Sequence, residues 1–137
     1  GLMTLSWAVN HPEKVGGWAG IYPVCNLSSY PGLVNAAPAF ALSAEDLEKR
    51  LVEFNPIDRF DSLAKAKVPL FAIHGDSDKL VPLEQNSGAL RARYEALGGA
   101  MRLIVPTGQG HSMWPGFFEN EEMVAWMIAT ARAAVQK

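Results

Sequence analysis

Two stretches of the chain combine residue types that can hold and move a proton. In the first, the apolar run Val68 to Ile73 is followed by His74-Gly75-Asp76-Ser77-Asp78-Lys79-Leu80-Val81-Pro82. In the second, Met101 to Val105 is followed by Pro106-Thr107-Gly108-Gln109-Gly110-His111-Ser112. A carboxylate that holds one imidazole nitrogen leaves the other free to act as a base, so Asp76 or Asp78 with His111 supplies two thirds of a Ser-His-Asp arrangement. Asp78 also has a plainer reading as a turn former through an Asx-type hydrogen bond, and Asp76 fits that role better. His111 alone would be an ordinary loop histidine.

Such a pair needs elements that bring the two loops together. Val68 to Ile73 is a short, nearly continuous apolar run with the composition of a strand buried on both faces of a parallel sheet. Met101 to Val105 is a second strand. Between them, Leu90, Tyr94 and Leu97 recur on one face of a helix over Leu83 to Leu97, with Gly98-Gly99 as its stop. Parallel strands joined by a helix place their following loops at one edge of the sheet, and in open α/β sheets chemistry is placed at the carboxyl ends of the strands.

His-Gly-Asp-Ser-Asp-Lys-Leu-Val-Pro at residues 74–82 and Gly-Gln-Gly-His at residues 108–111 resemble the acid and histidine loops of the α/β-hydrolases. The resemblance is closest to esterases and to the catalytic domain of prolyl-oligopeptidase-like enzymes, and it covers almost the whole chain. It implies a three-layer αβα arrangement, a partial α/β-hydrolase fold with a parallel sheet of about three strands flanked by helices. It makes Asp78, three residues before Val81-Pro82, the triad acid and His111 the base, in the family's chain order of Ser, acid, His. It implies a serine hydrolase acting on a small-molecule ester or a peptide, with no metal or organic cofactor.

The sequence departs from that pattern at the nucleophile, because no Gly-x-Ser-x-Gly occurs in it. The opening Gly1-Leu2-Met3-Thr4-Leu5-Ser6-Trp7-Ala8 resembles the start of the helix that follows the nucleophile turn. The expected partner is therefore an amino-terminal half carrying the serine and part of the oxyanion hole. Ser77 and Ser112 adjoin the pair but sit on no strand-to-helix elbow, and both read as bystanders. The reading from another class is a non-catalytic, truncated α/β-hydrolase-like domain acting as a binding or assembly module.

Composition narrows the remaining choices. The chain has 137 residues, 49% of them hydrophobic, and a formal charge of −2. It is treated as a single domain over 1–137, long enough for a core of its own, although the hydrolase fold often takes roughly 200 to 250 residues. A pI near 5.9 offers no basic surface for nucleic acid or anionic lipid. No run of eighteen apolar residues marks a membrane span, and no signal-peptide pattern is present. That points to the cytoplasm, subject to whatever precedes Gly1. The single cysteine, Cys25, excludes an internal disulfide, and no cationic neighbour is readable that would activate its thiol. Ligands at metal spacing are absent from the sequence.

In order, Leu2 to Asn10 is apolar on all sides, which predicts a buried helix ended by His11-Pro12. Val15 to Tyr22 reads as a strand in which Gly16, Gly17 and Gly20 permit close approach of a neighbouring backbone. Residues 23–67 form a lid-like insertion with one clear helix, capped by Ser43, with Leu47, Leu51 and Phe54 on one stripe and Asn55-Pro56 as its end. Tyr30, Phe40, Phe54 and Phe60 either line a substrate pocket or form the insertion's own core. Met113 and Trp114 either wall the cleft or anchor the histidine loop. His74 reads as a structural hydrogen-bonder. The last helix, Asn120 to Val135, places Met123, Val124, Met127, Ile128 and Ala131 on one face, with Glu119, Glu121 and Glu122 at the positive end of its dipole. If the serine-bearing strand is the expected neighbour of Val15 to Tyr22, that strand has an unpaired edge in this chain. Such an edge predicts a homodimer.

Overall fold

A computed structural model describes residues 1–136. Its elements are α1 (Leu2–Asn10), β1 (Trp18–Ile21), α2 (Leu33–Ala36), α3 (Ala44–Lys49), α4 (Leu51–Phe54), α5 (Asp61–Lys65), β2 (Leu70–Ile73), α6 (Ser87–Ala96), β3 (Met101–Ile104), α7 (Pro115–Phe118) and α8 (Glu121–Val135). The three strands form one parallel sheet in the order β1-β2-β3, with Leu70 opposite Trp18 on one side and Met101 on the other. Helices cover both faces, as in the expected three-layer αβα arrangement.

β2 is the central strand, and its unbroken apolar run follows from that position. Leu70 and Ala72 belong to a core built with Leu5, Ala8 and Val9 of α1, Leu63 and Ala64 of α5, and Leu90 and Tyr94 of α6. Phe71 and Ile73 point the other way and pack with Phe117, Met123 and Trp126. Alternate residues of a strand face opposite sides, so both parities must be apolar here. Tyr94 is fully buried and donates its hydroxyl hydrogen to the Val68 carbonyl at 2.6 Å, tying α6 to the start of β2.

α6 ends in the glycine-dependent turn that its sequence promised. The Gly98 and Gly99 N–H groups donate to the Glu95 and Tyr94 carbonyls at 2.9 and 3.0 Å, and Gly98 has a φ of +79°. The helix is shorter than Leu83 to Leu97. Leu83–Gln85 is a separate 3₁₀ turn, and Leu97 is exposed rather than on the buried face.

Other elements differ from expectation in instructive ways. β1 begins at Trp18, not Val15, and the glycines before it admit side chains rather than a strand backbone. A Cβ on Gly16 would meet Ala134 Cβ at 2.6 Å, and one on Gly17 would meet Thr130 Cγ2 at 2.5 Å. α8 therefore lies directly against the entry to β1. Residues 23–67 hold several short helices instead of one. Ser43 caps α3, accepting from the Asp46 N–H at 3.0 Å, but Arg50, at φ −114° and ψ 17°, interrupts the helix before α4. Leu27, Ala36, Ala37 and Leu47 form a small core of this segment, with Phe40 and Phe54 against it.

α1 and α8 are less buried than their composition predicts. α1 buries Leu5, Ala8 and Val9 but leaves Met3 83% and Trp7 50% exposed. On α8 the sheet side is Met123, Trp126, Thr130 and Ala134, whereas Val124, Met127 and Ile128 are all more than 40% exposed. Of the apolar face read from the sequence, Met123 thus meets the core while Val124, Met127 and Ile128 stand outside it. Met127 and Ala131 lie by Gly16, Gly17 and Ala19, and the outer side of β1 has no strand partner among the described residues.

This edge generates the first prediction. β1 carries no charged residue or proline that would discourage pairing, and Met3 and Trp7 of α1 and Val124, Met127 and Ile128 of α8 are exposed apolar side chains. The chain in isolation is expected to self-associate as a two-fold dimer, with Ile128→Lys shifting it toward monomer. Sedimentation over a dilution series reads the outcome; a monomer at every concentration would exclude the association.

Candidate active site

The carboxyl ends of β2 and β3 run directly into the two loops, and backbone pairing continues beyond the strands. The His74 N–H donates to the Ile104 carbonyl at 3.0 Å, Asp76 N–H to the Pro106 carbonyl at 3.3 Å, and Ser77 N–H to the Gln109 carbonyl at 3.0 Å. Gly75 allows this approach, since a Cβ there would stand 2.0 Å from the Gln109 oxygen. Asp76 closes the contact from the side chain. Its Oδ1 accepts from the Gly108 N–H at 2.7 Å and from the Ser77 hydroxyl at 2.9 Å, and Gly108 has a φ of +71°. Asp76 is thus a bridge between loops, in keeping with a structural reading.

Within this frame Asp78 and His111 meet. His111 Nδ1 lies 2.8 Å from Asp78 Oδ2. The Asp78 side chain is fully buried, and its Oδ1 accepts from the Leu80 and Val81 N–H groups at 3.0 and 2.9 Å. Both backbone partners are N–H groups, so Oδ1 serves as an acceptor. The Asx-type turn and the histidine contact coexist, because each takes a different carboxylate oxygen. His111 Nε2 has no hydrogen-bond partner among the described residues, and the imidazole side chain is 29% exposed.

His74 is the buried support of the acid loop. Its Nε2 is 2.8 Å from the Val81 carbonyl and its Nδ1 is 2.8 Å from the Ser87 hydroxyl. A carbonyl can only accept, so Nε2 carries the hydrogen; in the neutral ring Nδ1 then accepts from Ser87. The same Nε2 lies 3.4 Å from Asp78 Oδ2. Burial pushes the His74 imidazole below its ordinary value, while the Val81 carbonyl and Asp78 pull the other way. The ring is held as a neutral strut.

Sequence reading did not find three further participants. Tyr22, at the end of β1, lays its ring against His111 with centroids 4.0 Å apart. Asn86 is fully buried; its Oδ1 accepts from the Cys25 and Asn26 N–H groups at 2.9 and 3.2 Å, and its Nδ2 donates to the Pro82 carbonyl at 3.0 Å. It joins the insertion to the end of the acid loop. Phe117 stands edge-on to Tyr22 at 5.2 Å. A bulky aromatic at a strand's carboxyl end was the available signal for Tyr22. A lone Asn before a helix gave none.

The remaining candidates are placed as follows. Trp114 packs edge-on against Phe117 at 5.2 Å and covers Gly116, which anchors the histidine loop to α7. Met113 is 78% exposed. Phe40 packs on Phe54 at 4.9 Å within the insertion, and Tyr30 of the same segment is 38% exposed. Phe60 is in the main core. Cys25 is buried and its thiol is pushed up to about 12, chiefly by burial, so it is held as an unreactive thiol.

No family model and no curated protein matches the chain. Solved structures do. A Bacteroides ovatus protein assigned as a dipeptidyl aminopeptidase IV superposes with a TM-score of 0.69 at 17% identity, over 90% of this chain and 17% of its own. TT1662 from Thermus thermophilus superposes with a TM-score of 0.62 at 18% identity, over 100% of this chain and 52% of its own. A puromycin hydrolase superposes with a TM-score of 0.53 at 20% identity, over 71% of this chain and 15% of its own. The chain spans between about a sixth and a half of these proteins.

The His74 strut has a pH signature. Its folded-state value lies below its unfolded one, so the unfolded chain binds the extra proton first. The contribution is complete above about pH 6.5 and is lost as pH falls through that value toward the lower folded one. Denaturant unfolding is therefore expected to show falling stability below about pH 6.5. His74→Ala, which strands the Val81 carbonyl and the Ser87 hydroxyl, should cost about 1 to 3 kcal/mol at neutral pH and flatten that dependence.

Proposed function

The chain carries part of the α/β-hydrolase fold, and we propose that it supplies the acid and base of a serine hydrolase that transfers an acyl group from an ester or peptide to water. The observation that carries this reading is the 2.8 Å contact between Asp78 Oδ2 and His111 Nδ1 at adjacent strand ends, with His111 Nε2 left unpartnered. Two of the neighbours are named for hydrolysis, one as a peptidase and one as a puromycin hydrolase, which supports the reaction class.

In the proposed mechanism a serine hydroxyl from outside this chain attacks the substrate carbonyl. His111 Nε2 takes the hydroxyl proton and returns it to the leaving group, while the acyl group passes to the serine and then to water. Asp78 keeps the hydrogen of His111 on Nδ1, so that Nε2 presents its lone pair, and stabilises the imidazolium when it forms. The Leu80 and Val81 N–H groups hold the carboxylate in the orientation that requires. No metal or organic cofactor enters these steps. Met113, Trp114, Tyr30 and Phe40 are the proposed substrate-facing residues, with Met113 the most accessible of them.

The chain alone is expected to hydrolyse p-nitrophenyl acetate no faster than its His111→Ala variant, because the nucleophile and oxyanion donors lie elsewhere. Combined with an upstream segment bearing a Gly-x-Ser-x-Gly turn, it should gain activity that His111→Ala abolishes. Asp78→Asn should reduce that activity by about ten-thousandfold, through the wrong tautomer. Stoichiometric labelling of the chain by a fluorophosphonate would place the nucleophile within it and overturn the assignment. A complemented protein that stays inactive would favour the binding or assembly module instead.

A further inference from the structure

Three strands end beside one another, and each delivers one residue to the same spot: Tyr22 from β1, Asp78 from beyond β2, and His111 from beyond β3. The first has no role in the proton transfer described above. Its backbone is nevertheless unusual. Tyr22 has a φ of +32°, in the left-handed region that a bulky side chain disfavours, and it is fixed there by its N–H donating to the Ile73 carbonyl at 2.7 Å. A glycine would adopt this conformation freely. Backbone strain of this kind persists where the surroundings over-determine it, and it is a pointer to function when a specific contact depends on it.

The contact here is with the His111 ring. The two centroids are 4.0 Å apart with planes inclined at 46°. Tyr22 is itself wedged between the edges of Phe117, at 5.2 Å and 90°, and Phe118, at 6.1 Å and 76°. The Asp78 hydrogen bond constrains one edge of the imidazole but leaves the ring free to swing about that bond. A flat surface against its face removes that freedom. An aromatic face also lies where it favours a cation, so the same contact suits the imidazolium that forms during proton transfer.

We infer that Tyr22 is a positioning residue for His111: its ring, presented by a left-handed turn at the end of β1, fixes the imidazole plane and shields the Nδ1–H from water. The inference rests on the proposed proton-relay role of His111. It concerns the ring of Tyr22 rather than its hydroxyl, which makes no hydrogen bond among the described residues.

The test is ¹⁵N-imidazole NMR of the chain, following the hydrogen-bonded Nδ1–H of His111, with the buried Nε2–H of His74 as an internal reference for the fold. Wild type and Tyr22→Phe are expected to show both signals. Tyr22→Leu, which keeps an apolar group against Phe117 but removes the aromatic face, is expected to keep the His74 signal and to lose that of His111, or to exchange it with water at least about tenfold faster. Tyr22→Gly relieves the backbone and should behave as Tyr22→Leu does, which covers the case of a leucine variant that fails to fold. An unchanged His111 signal in both variants would overturn the inference and leave Tyr22 as packing only. Asp78→Asn separates the two readings: a His111 signal that survives it would remove the proton relay while the effect of Tyr22 stood.

Discussion

The site depends on how closely two loop backbones can approach. β2 and β3 pair only as far as Ile73 and Ile104, yet the residues with chemistry lie beyond those points. The pairing is carried outward through the Asp76 and Ser77 N–H groups, and Gly75 is the residue that makes this possible. Any side chain there would collide with the Gln109 carbonyl. Opening the loops to accommodate it would draw His111 away from Asp78, because both ride on the backbone that Gly75 and Gln109 hold together. The hydrogen bond at the site is thus a consequence of sheet pairing, extended past the strands by a missing Cβ.

The acid loop is then made rigid from within. His74 binds the Val81 carbonyl, Asp78 binds the Leu80 and Val81 N–H groups, and Asn86 binds the Pro82 carbonyl. Val81 therefore has both of its backbone polar groups engaged by side chains of its own loop. With Nε2 donating to the Val81 carbonyl, Nδ1 accepts from Ser87 when the ring is neutral. Burial supplies that neutrality, and it does so next to a carboxylate that would otherwise favour the charged ring. His74 and His111 share one carboxylate but use it differently, the buried ring as a strut at 3.4 Å and the exposed ring as a partner at 2.8 Å.

Much of this was legible in the sequence because it is local. The strand at the centre of the sheet was readable from its unbroken apolar run, and both loops from their glycines and carboxylates. The stop of α6 was readable from Gly98-Gly99. What escaped was whatever depends on a partner distant in sequence. Tyr22 looked like the last residue of a strand, and nothing local says that its ring reaches a loop that follows β3. Asn86 drew no reading of its own inside the expected helix, although its acceptor serves Cys25 and Asn26. α8 is a different matter: its apolar positions run wider than its buried side, and periodicity names such positions without saying which of them meet the core. The glycines at 16 and 17 choose, because they admit Ala134 and Thr130 and thereby turn Val124, Met127 and Ile128 outward.

The same geometry explains how Asp78 and His111 come together. Asp78 and His111 belong to strands that are neighbours in the sheet, joined by one helix, so their meeting requires only β2, α6 and β3. That unit is internally closed: α6 is sealed by its glycine turn, Tyr94 ties it back to Val68, and Leu90 fills the space against β2. The opposite side of the sheet has no such closure. There β1 has no strand partner on its outer edge among the described residues. Tyr22 sits between the two regions, on the open strand but in contact with the closed unit.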